Sequence, residues 1–224
     1  VDLCKTYRQG DEDIKALDHV SIEIEPGGFV CLSAPSGGGK TTLLNAIGGL
    51  DMPDSGEVWI ADRRIDQLSK GELAELRLSS IGFVFQAYNL IPVLTARETI
   101  EFVMQVQGVP ASQRAEKSMA ILDEVGLKGL EDRRPAEMSG GQQQRVAVAR
   151  AIVSRPALVL ADEPTANLDS KTSDELMALF TELNQHHNTT FVIATHDQRV
   201  MAYAKRLVRM LDGRIVEDIQ QHAA

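Results

Sequence analysis

Four short apolar runs constrain the fold of this chain more than any other feature: FVCLS at residues 29–33, IGFVF at 81–85, ALVLA at 157–161 and TFVIA at 190–194. Each is continuous rather than alternating, about one strand long, and separated from the next by helical patterns. That combination is the signature of strands covered on both faces, in a mainly parallel sheet with helices packed against it. Two other segments read as antiparallel. Val20, Ile22 and Ile24 alternate with Ser21, Glu23 and Glu25, the period of a half-exposed strand, and Pro26-Gly27-Gly28 then turns the chain, so a hairpin is expected there. Asp212-Gly213 lies between two apolar segments near the C-terminal end, a two-residue hairpin signal that predicts a closing antiparallel pair.

Between Thr95 and Val153 the parallel-strand signal gives way to helical periodicity. Ala115, Met119, Leu122 and Val125 are spaced for one helical face, and Gly126 is the expected stop. The predicted architecture is one α/β domain. Its core comes from residues 1–94 and 154–224 and includes an N-terminal antiparallel β-subdomain, while a helical subdomain, 95–153, is inserted. Leu176, Leu179, Phe180 and Leu183 form the predicted buried stripe of a later helix.

Composition narrows function by exclusion. The 23 basic and 32 acidic residues give a net charge of −9, and the cations are dispersed along the chain. That argues against sequence-independent nucleic-acid binding, which needs clustered positive charge. No apolar run approaches the roughly 18 residues that would span a bilayer. Cys4 and Cys31 are the two cysteines, far apart and both in strand-like context, so two buried thiols are expected rather than a disulfide or a metal site.

The loop after the first apolar run carries the first sign of chemistry. In SAPSGGGKTT, residues 33–42, glycines let backbone N–H groups converge on an anion, and the helix beyond them adds its dipole and free donors. Strand, glycine-rich loop and Lys-Thr at a helix start are together the parts of a phosphate-binding loop (P-loop). Ser36, Gly37, Gly38, Gly39, Lys40, Thr41 and Thr42 are its candidate residues. Lys40 is suited to the β- and γ-phosphates of a nucleotide, and the Thr41 hydroxyl to Mg²⁺. Ala34 stands where the usual pattern has glycine; its methyl matters only if that position needs a positive φ, and phosphate binding is expected to be preserved.

The run ALVLA ends in Asp162 and Glu163, at the sheet edge where doubly wound folds bind ligands. Asp162 is a candidate Mg²⁺ ligand and Glu163 a candidate general base for an attacking water. Ser139, Gly140, Gly141 and Gln142 fit a capping box, but capping does not require two glycines, so a second anion-binding helix start is expected.

Taken together these motifs resemble the ATP-binding cassette of ABC transporters, over essentially the whole chain. The resemblance implies that SGGQ, residues 139–142, is the signature motif that completes the ATP site of a second copy in a head-to-tail homodimer, sandwiching two ATP molecules. It implies further roles: Tyr7 stacks on adenine, and Gln86 senses Mg²⁺ and the attacking water. Asp169 is the D-loop aspartate, and His196 contacts the γ-phosphate. GGLDMPDSGEV, FVFQAYNLIPVLTARETI and LADEPTANLD are similar to the branch of lipoprotein-release and macrolide-export ATPases, the LolD/MacB type. That similarity implies an ATPase on the cytoplasmic side of a bacterial inner membrane, with a separate transmembrane permease subunit carrying a large periplasmic domain and docking around Asn89 to Pro92. A regulatory cassette of the FtsE kind, signalling to cell-wall enzymes without transport, is the alternative expectation.

Overall fold

In the computed structural model, which describes residues 1–221, the four apolar runs lie side by side as parallel strands. In chain order, β1 (Leu3–Gln9) and β2 (Glu12–Val20) form a separate antiparallel ribbon, and β3 (Phe29–Ser33) leads into α1 (Lys40–Ile47). A small pair, β4 (Trp59–Ile60) and β5 (Arg63–Arg64), precedes α2 (Lys70–Ser80) and β6 (Ile81–Phe85). Three helices come next: α3 (Ala96–Val106), α4 (Ala111–Glu124) and, after one 3₁₀ turn at Pro135–Glu137, α5 (Gly140–Ile152). Then come β7 (Leu158–Asp162), α6 (Ser170–His187), β8 (Thr190–Thr195), α7 (Gln198–Met201), β9 (Arg206–Leu211) and β10 (Arg214–Gln220). The main sheet runs β10-β9-β3-β8-β7-β6 and only β10 is antiparallel to its neighbour. No helix among the described residues is long and apolar enough to cross a membrane.

The apolar runs are continuous because each strand feeds two cores. Phe29, Cys31, Val159, Ala161, Phe191 and Ile193 point to one side, where residues of α3, α4, α5 and α6 cover them. Val30, Leu32, Leu158, Leu160, Val192 and Ala194 point to the other, against Leu43, Leu44 and Leu17. Successive residues of a strand alternate faces, so a strand that is apolar at every position is stable only between two such layers. Each large side chain buried this way contributes about 1.5–3 kcal/mol.

Two local expectations are corrected. The N-terminal hairpin turns at Gly10, whose φ is +64°, not at Pro26–Gly28, and residues 21–25 lie outside any strand. Their alternation has another cause: Ile22 and Ile24 pack against the second core while Ser21, Glu23 and Glu25 face solvent. In α4 the buried positions are Ser118, Ile121 and Leu122, with Val125 just beyond, whereas Ala115 and Met119 are exposed. The helix is rotated from the expected face, and on the face it buries Ser118 Oγ donates to Glu101 Oε1 on α3 at 3.2 Å. Gly126, at φ +75°, does stand just past its end. Asp212 and Gly213 both have positive φ, +48° and +74°, and join β9 to β10 as a two-residue turn, in the geometry that such hairpins favour. Both cysteines are free, but only Cys31 is buried; against the expectation of two buried thiols Cys4 is half-buried, because β1 lies in a two-stranded ribbon that is largely open to solvent.

Strand register fixes where the connecting loops emerge. Ser33 is level with Thr195, Ala194 with Asp162, and Asp162 with Phe85. The segments that begin at Ala34, His196, Glu163 and Gln86 therefore leave the sheet at one edge, its carboxyl edge.

Candidate active site

The loop after β3 wraps around the start of α1. Gly37 and Gly39 have φ of +78° and +96°, a region open to glycine and strained for other residues. A side chain on Gly39 would also collide with the Ala16 carbonyl at 2.5 Å. Gly39 is the N-cap of α1 and supplies no side-chain cap, so the first-turn N–H groups remain available to an anion. Ala34 is not among the residues with positive φ. Its methyl group is buried under the loop, which explains why alanine is accepted where the pattern has glycine.

Lys40 is buried, and its ammonium donates to the carbonyls of Ala34 at 2.7 Å and Pro35 at 3.3 Å, with Glu163 Oε1 3.9 Å away. Thr41 Oγ1 donates to Asp162 Oδ2 at 2.9 Å, whereas Asp162 Oδ1 is buried with no hydrogen-bond partner. An orphaned carboxylate oxygen beside a hydroxyl, at a helix start, is a donor set that suits a hard divalent cation. Thr41 and Asp162 therefore fit Mg²⁺ on their own chemistry. Burial first, and the Glu163 charge beside it, hold the Asp162 carboxyl above the usual carboxylate range, against the opposing pull of Thr41 and Lys40.

That shift has a stability consequence. A carboxyl raised in the folded state favours folding below its ordinary pKa, and this contribution is lost as pH rises through the raised value. Ionised Asp162 thus costs stability at neutral pH. Asp162→Asn is expected to raise the melting temperature without nucleotide at pH 7. Near pH 4 the gain should shrink. Thermal melts of the two proteins at both pH values check this, and equal melting temperatures at pH 7 would contradict it.

Glu163 comes directly after β7 in a left-handed conformation, φ +45°, with its N–H donating to the Ala194 carbonyl at 2.9 Å. This turn carries its carboxylate back over the loop, where Oε1 lies 2.8 Å from His196 Nδ1. The direct Glu163–His196 contact was not legible in the sequence. His196 itself is largely exposed, 70% of its side chain, while Glu163 is mostly buried. Beneath them burial pushes the Cys31 thiol up to about 12, with the Glu163 charge adding to it, so Cys31 is an apolar floor and no thiolate.

Tyr7 sits at the edge of this group. Its hydroxyl donates to Asp51 Oδ2 at 2.6 Å, and Lys5, itself bonded to Asp51 Oδ1 at 2.9 Å, lies 5.4 Å from the ring centroid. Burial, and after it the Asp51 contact, raises the Tyr7 pKa, with Thr42 opposing through its own hydrogen bond. The ring is thereby held near α1 with part of its surface open.

Ser139, Gly140, Gly141 and Gln142 are gathered elsewhere. Ser139 caps α5 with a full capping box, Gln142 N–H to Ser139 Oγ at 3.3 Å and Ser139 N–H to Gln142 Oε1 at 2.9 Å. Among the described residues no hydrogen bond or ion pair joins this turn to Lys40, Thr41, Asp162 or Glu163. The two glycines have packing reasons: a Cβ on Gly140 would lie 2.9 Å from Tyr88 Oη, and one on Gly141 would lie 2.5 Å from Thr172 Cγ2. Asp169 caps α6, accepting from Thr172 N–H at 3.0 Å and Thr172 Oγ1 at 2.7 Å, and these bonds hold its carboxyl below the usual range. Gln86 is exposed at the end of β6, and its carbonyl accepts from Asn167 Nδ2 at 3.0 Å. Sequence reasoning passed over Asn167, and also Gln144, a buried amide on α5 that donates to the Pro164 carbonyl at 2.7 Å. Its signal was a third consecutive glutamine on a face that otherwise reads Ala147, Val148 and Ala151.

The family model for ABC transporters matches residues 17–166. The chain is 44% identical over 224 residues to a macrolide export ATP-binding/permease protein, MacB, of Rhodopirellula baltica; that match covers 99% of the chain and 33% of the relative. The chain thus spans about a third of that relative's length. It is 43% identical over 217 residues to an ABC transporter ATP-binding protein of Methanocaldococcus jannaschii, MJ0796, covering 95% of the chain and 92% of the relative. A dimeric structure of the cassette MJ0796 in a post-hydrolysis state, bound to ADP and Pi, superposes with a TM-score of 0.91 at 39% identity, over 100% of this chain and 98% of that one.

Proposed function

The chain belongs to the ABC transporter family, and from that premise we propose that it is the ATP-hydrolysing subunit of a bacterial inner-membrane complex of the LolD/MacB type. One observation carries the reading: the similarity to MacB runs across 99% of this chain. ATPase chemistry is the family's; the assignment of its parts to residues is ours.

ATP lies along the loop from Ser36 to Thr42, with the adenine against Tyr7 and the terminal phosphates facing Lys40 and the free N–H groups of α1. Thr41 and Asp162, with Gln86, would hold Mg²⁺, which would neutralise charge developing on the phosphates. Glu163 accepts a proton from the attacking water as its oxygen bonds to the γ-phosphorus and the β–γ bridging bond breaks, leaving ADP and phosphate. His196 orients the Glu163 carboxylate through Nδ1 and presents its remaining ring edge to the γ-phosphate.

Two copies assemble head to tail, so that Ser139, Gly140, Gly141 and Gln142 of each face the nucleotide held by the other, and Asp169 lies at the shared surface. Support comes from the absence, among the described residues, of any hydrogen bond or ion pair between SGGQ and Lys40 of the same chain, and from the dimeric MJ0796 cassette bound to ADP and Pi. Closure is linkage: a ligand that contacts both copies stabilises the closed pair, and loss of the γ-phosphate releases it. A separate membrane subunit with a large periplasmic domain receives the motion, at the surface around Asn89 to Pro92. Relatives covered over 92–94% of their length are named ABC transporter ATP-binding proteins, which supports a separate partner.

The experiment is affinity capture of the Glu163→Gln protein with ATP and Mg²⁺ from detergent-solubilised membranes of its host. Recovery of a membrane protein with few spans and a large periplasmic domain is the expected result. ATP-dependent dimers recovered without any membrane protein would sink the transporter reading, and a cell-division membrane protein would favour an FtsE-like role.

A further inference from the structure

The segment after Gln86 is held in a costly shape, and the groups that hold it lie on α5 and beside Asp169. Tyr88 and Asn89 are consecutive non-glycine residues in the left-handed region, φ +59° and +50°, where a single such residue is uncommon and a pair persists only if its surroundings enforce it. The enforcing group is Arg150, in the last turn of α5. Its Nη1 donates to the Asn89 carbonyl at 2.6 Å and its Nη2 to the Tyr88 carbonyl at 3.1 Å. Burial lowers the Arg150 pKa, so this is a desolvated guanidinium spent on two neutral carbonyls. The Tyr88 ring reaches the opposite end of the same helix, where its hydroxyl lies 2.9 Å from the place a Cβ on Gly140 would take. Asn167 Nδ2 completes the clamp at the Gln86 carbonyl, 3.0 Å away.

We infer that Arg150 and Asn167 are positioning residues that fix the backbone around Gln86, Arg150 from the SGGQ helix and Asn167 from the turn before Asp169. A guanidinium suits this because its planar fork grips two adjacent carbonyls at once, which a lysine ammonium does only partly. The strained pair stores no fixed geometry of its own. Without the fork, Tyr88 and Asn89 relax toward ordinary backbone angles, and the Gln86 side chain, two to three residues away, loses its aim while the phosphate loop is untouched.

This inference rests on the proposed role of Gln86 at Mg²⁺ and the attacking water, so the test includes that residue. Steady-state ATP hydrolysis is measured for Gln86→Ala, Arg150→Ala, Arg150→Lys, Asn167→Ala and the doubles that combine Gln86→Ala with Arg150→Ala or Asn167→Ala. Arg150→Ala is expected to lower kcat about tenfold or more with KM for ATP within threefold, Arg150→Lys to recover part of the loss, and Asn167→Ala to lower kcat about threefold. Each double is expected to be no slower than Gln86→Ala alone, because one function is lost only once. Losses that multiply, or Arg150→Ala and Asn167→Ala proteins at the wild-type kcat beside an impaired Gln86→Ala, would overturn the inference alone. A wild-type rate for Gln86→Ala would instead overturn the reading of Gln86. If Arg150→Ala fails to fold, the exposed Asn167 decides by the same criteria.

Discussion

Replacing Glu163 by glutamine is expected to slow ATP turnover by about 10²–10⁴-fold, the range general-base removal produces, while ATP binding stays within threefold of wild type. The side chain keeps its shape, so the turn after β7 and the bond from Glu163 N–H to the Ala194 carbonyl are undisturbed. What changes is basicity: an amide oxygen still faces His196 Nδ1, 2.8 Å away in the wild type, but cannot take the water's proton. Because Lys40 Nζ is 3.9 Å from Glu163 Oε1, removing that negative charge also leaves the ammonium free for phosphate. Phosphate release and fluorescent-nucleotide binding, measured on one preparation, check both halves. Wild-type turnover would remove Glu163 from the chemistry.

Lys40→Ala is expected to weaken ATP binding by about 10²-fold or more. Charge-assisted hydrogen bonds each contribute about 1.5–3 kcal/mol, and Lys40 is suited to two phosphates. The reason lies in how the chain holds this side chain. It is buried at 8% exposure, and its neutral partners are the Ala34 and Pro35 carbonyls, so its charge is directed inward rather than dissipated in solvent. Arginine should not rescue, since a planar fork does not fit a loop shaped around a compact ammonium. The measurement is nucleotide affinity by fluorescence anisotropy, with melting temperature as a control for folding. Affinity within threefold of wild type would contradict the placement of phosphate at this loop.

Much of this site was legible because its parts are local in sequence. Gly37, Gly39, Lys40 and Thr41 lie within one strand–loop–helix unit, and Asp162 and Glu163 end a strand whose apolar run announces it. Their convergence could be expected from the rule that parallel strands present loops at one edge, and the register of Ser33, Thr195, Ala194, Asp162 and Phe85 bears it out. What stayed hidden depends on side chains meeting across distant segments. The Glu163–His196 contact spans 33 residues and the Arg150 clamp about 60, and neither leaves a periodic trace. The misplaced hairpin has a different origin. Alternation at residues 20–25 reports which side chains are buried, and burial on one side does not require a hydrogen-bonded partner strand.

The two glycines of SGGQ show both limits together. Their presence signalled close approach, but packing against Tyr88 and Thr172 within the chain accounts for both without any ligand. Whether the same turn also meets a second copy's nucleotide is decided by assembly. The most direct measurement is analytical ultracentrifugation of the Glu163→Gln protein and of Glu163→Gln with Ser139→Arg, each with and without ATP and Mg²⁺. The expected result is monomer without ATP, dimer with ATP for Glu163→Gln, and monomer with one bound ATP per chain once Ser139→Arg is added. A Ser139→Arg protein that still dimerises on ATP, or a Glu163→Gln protein that binds ATP and stays monomeric, would contradict a site completed by a second copy.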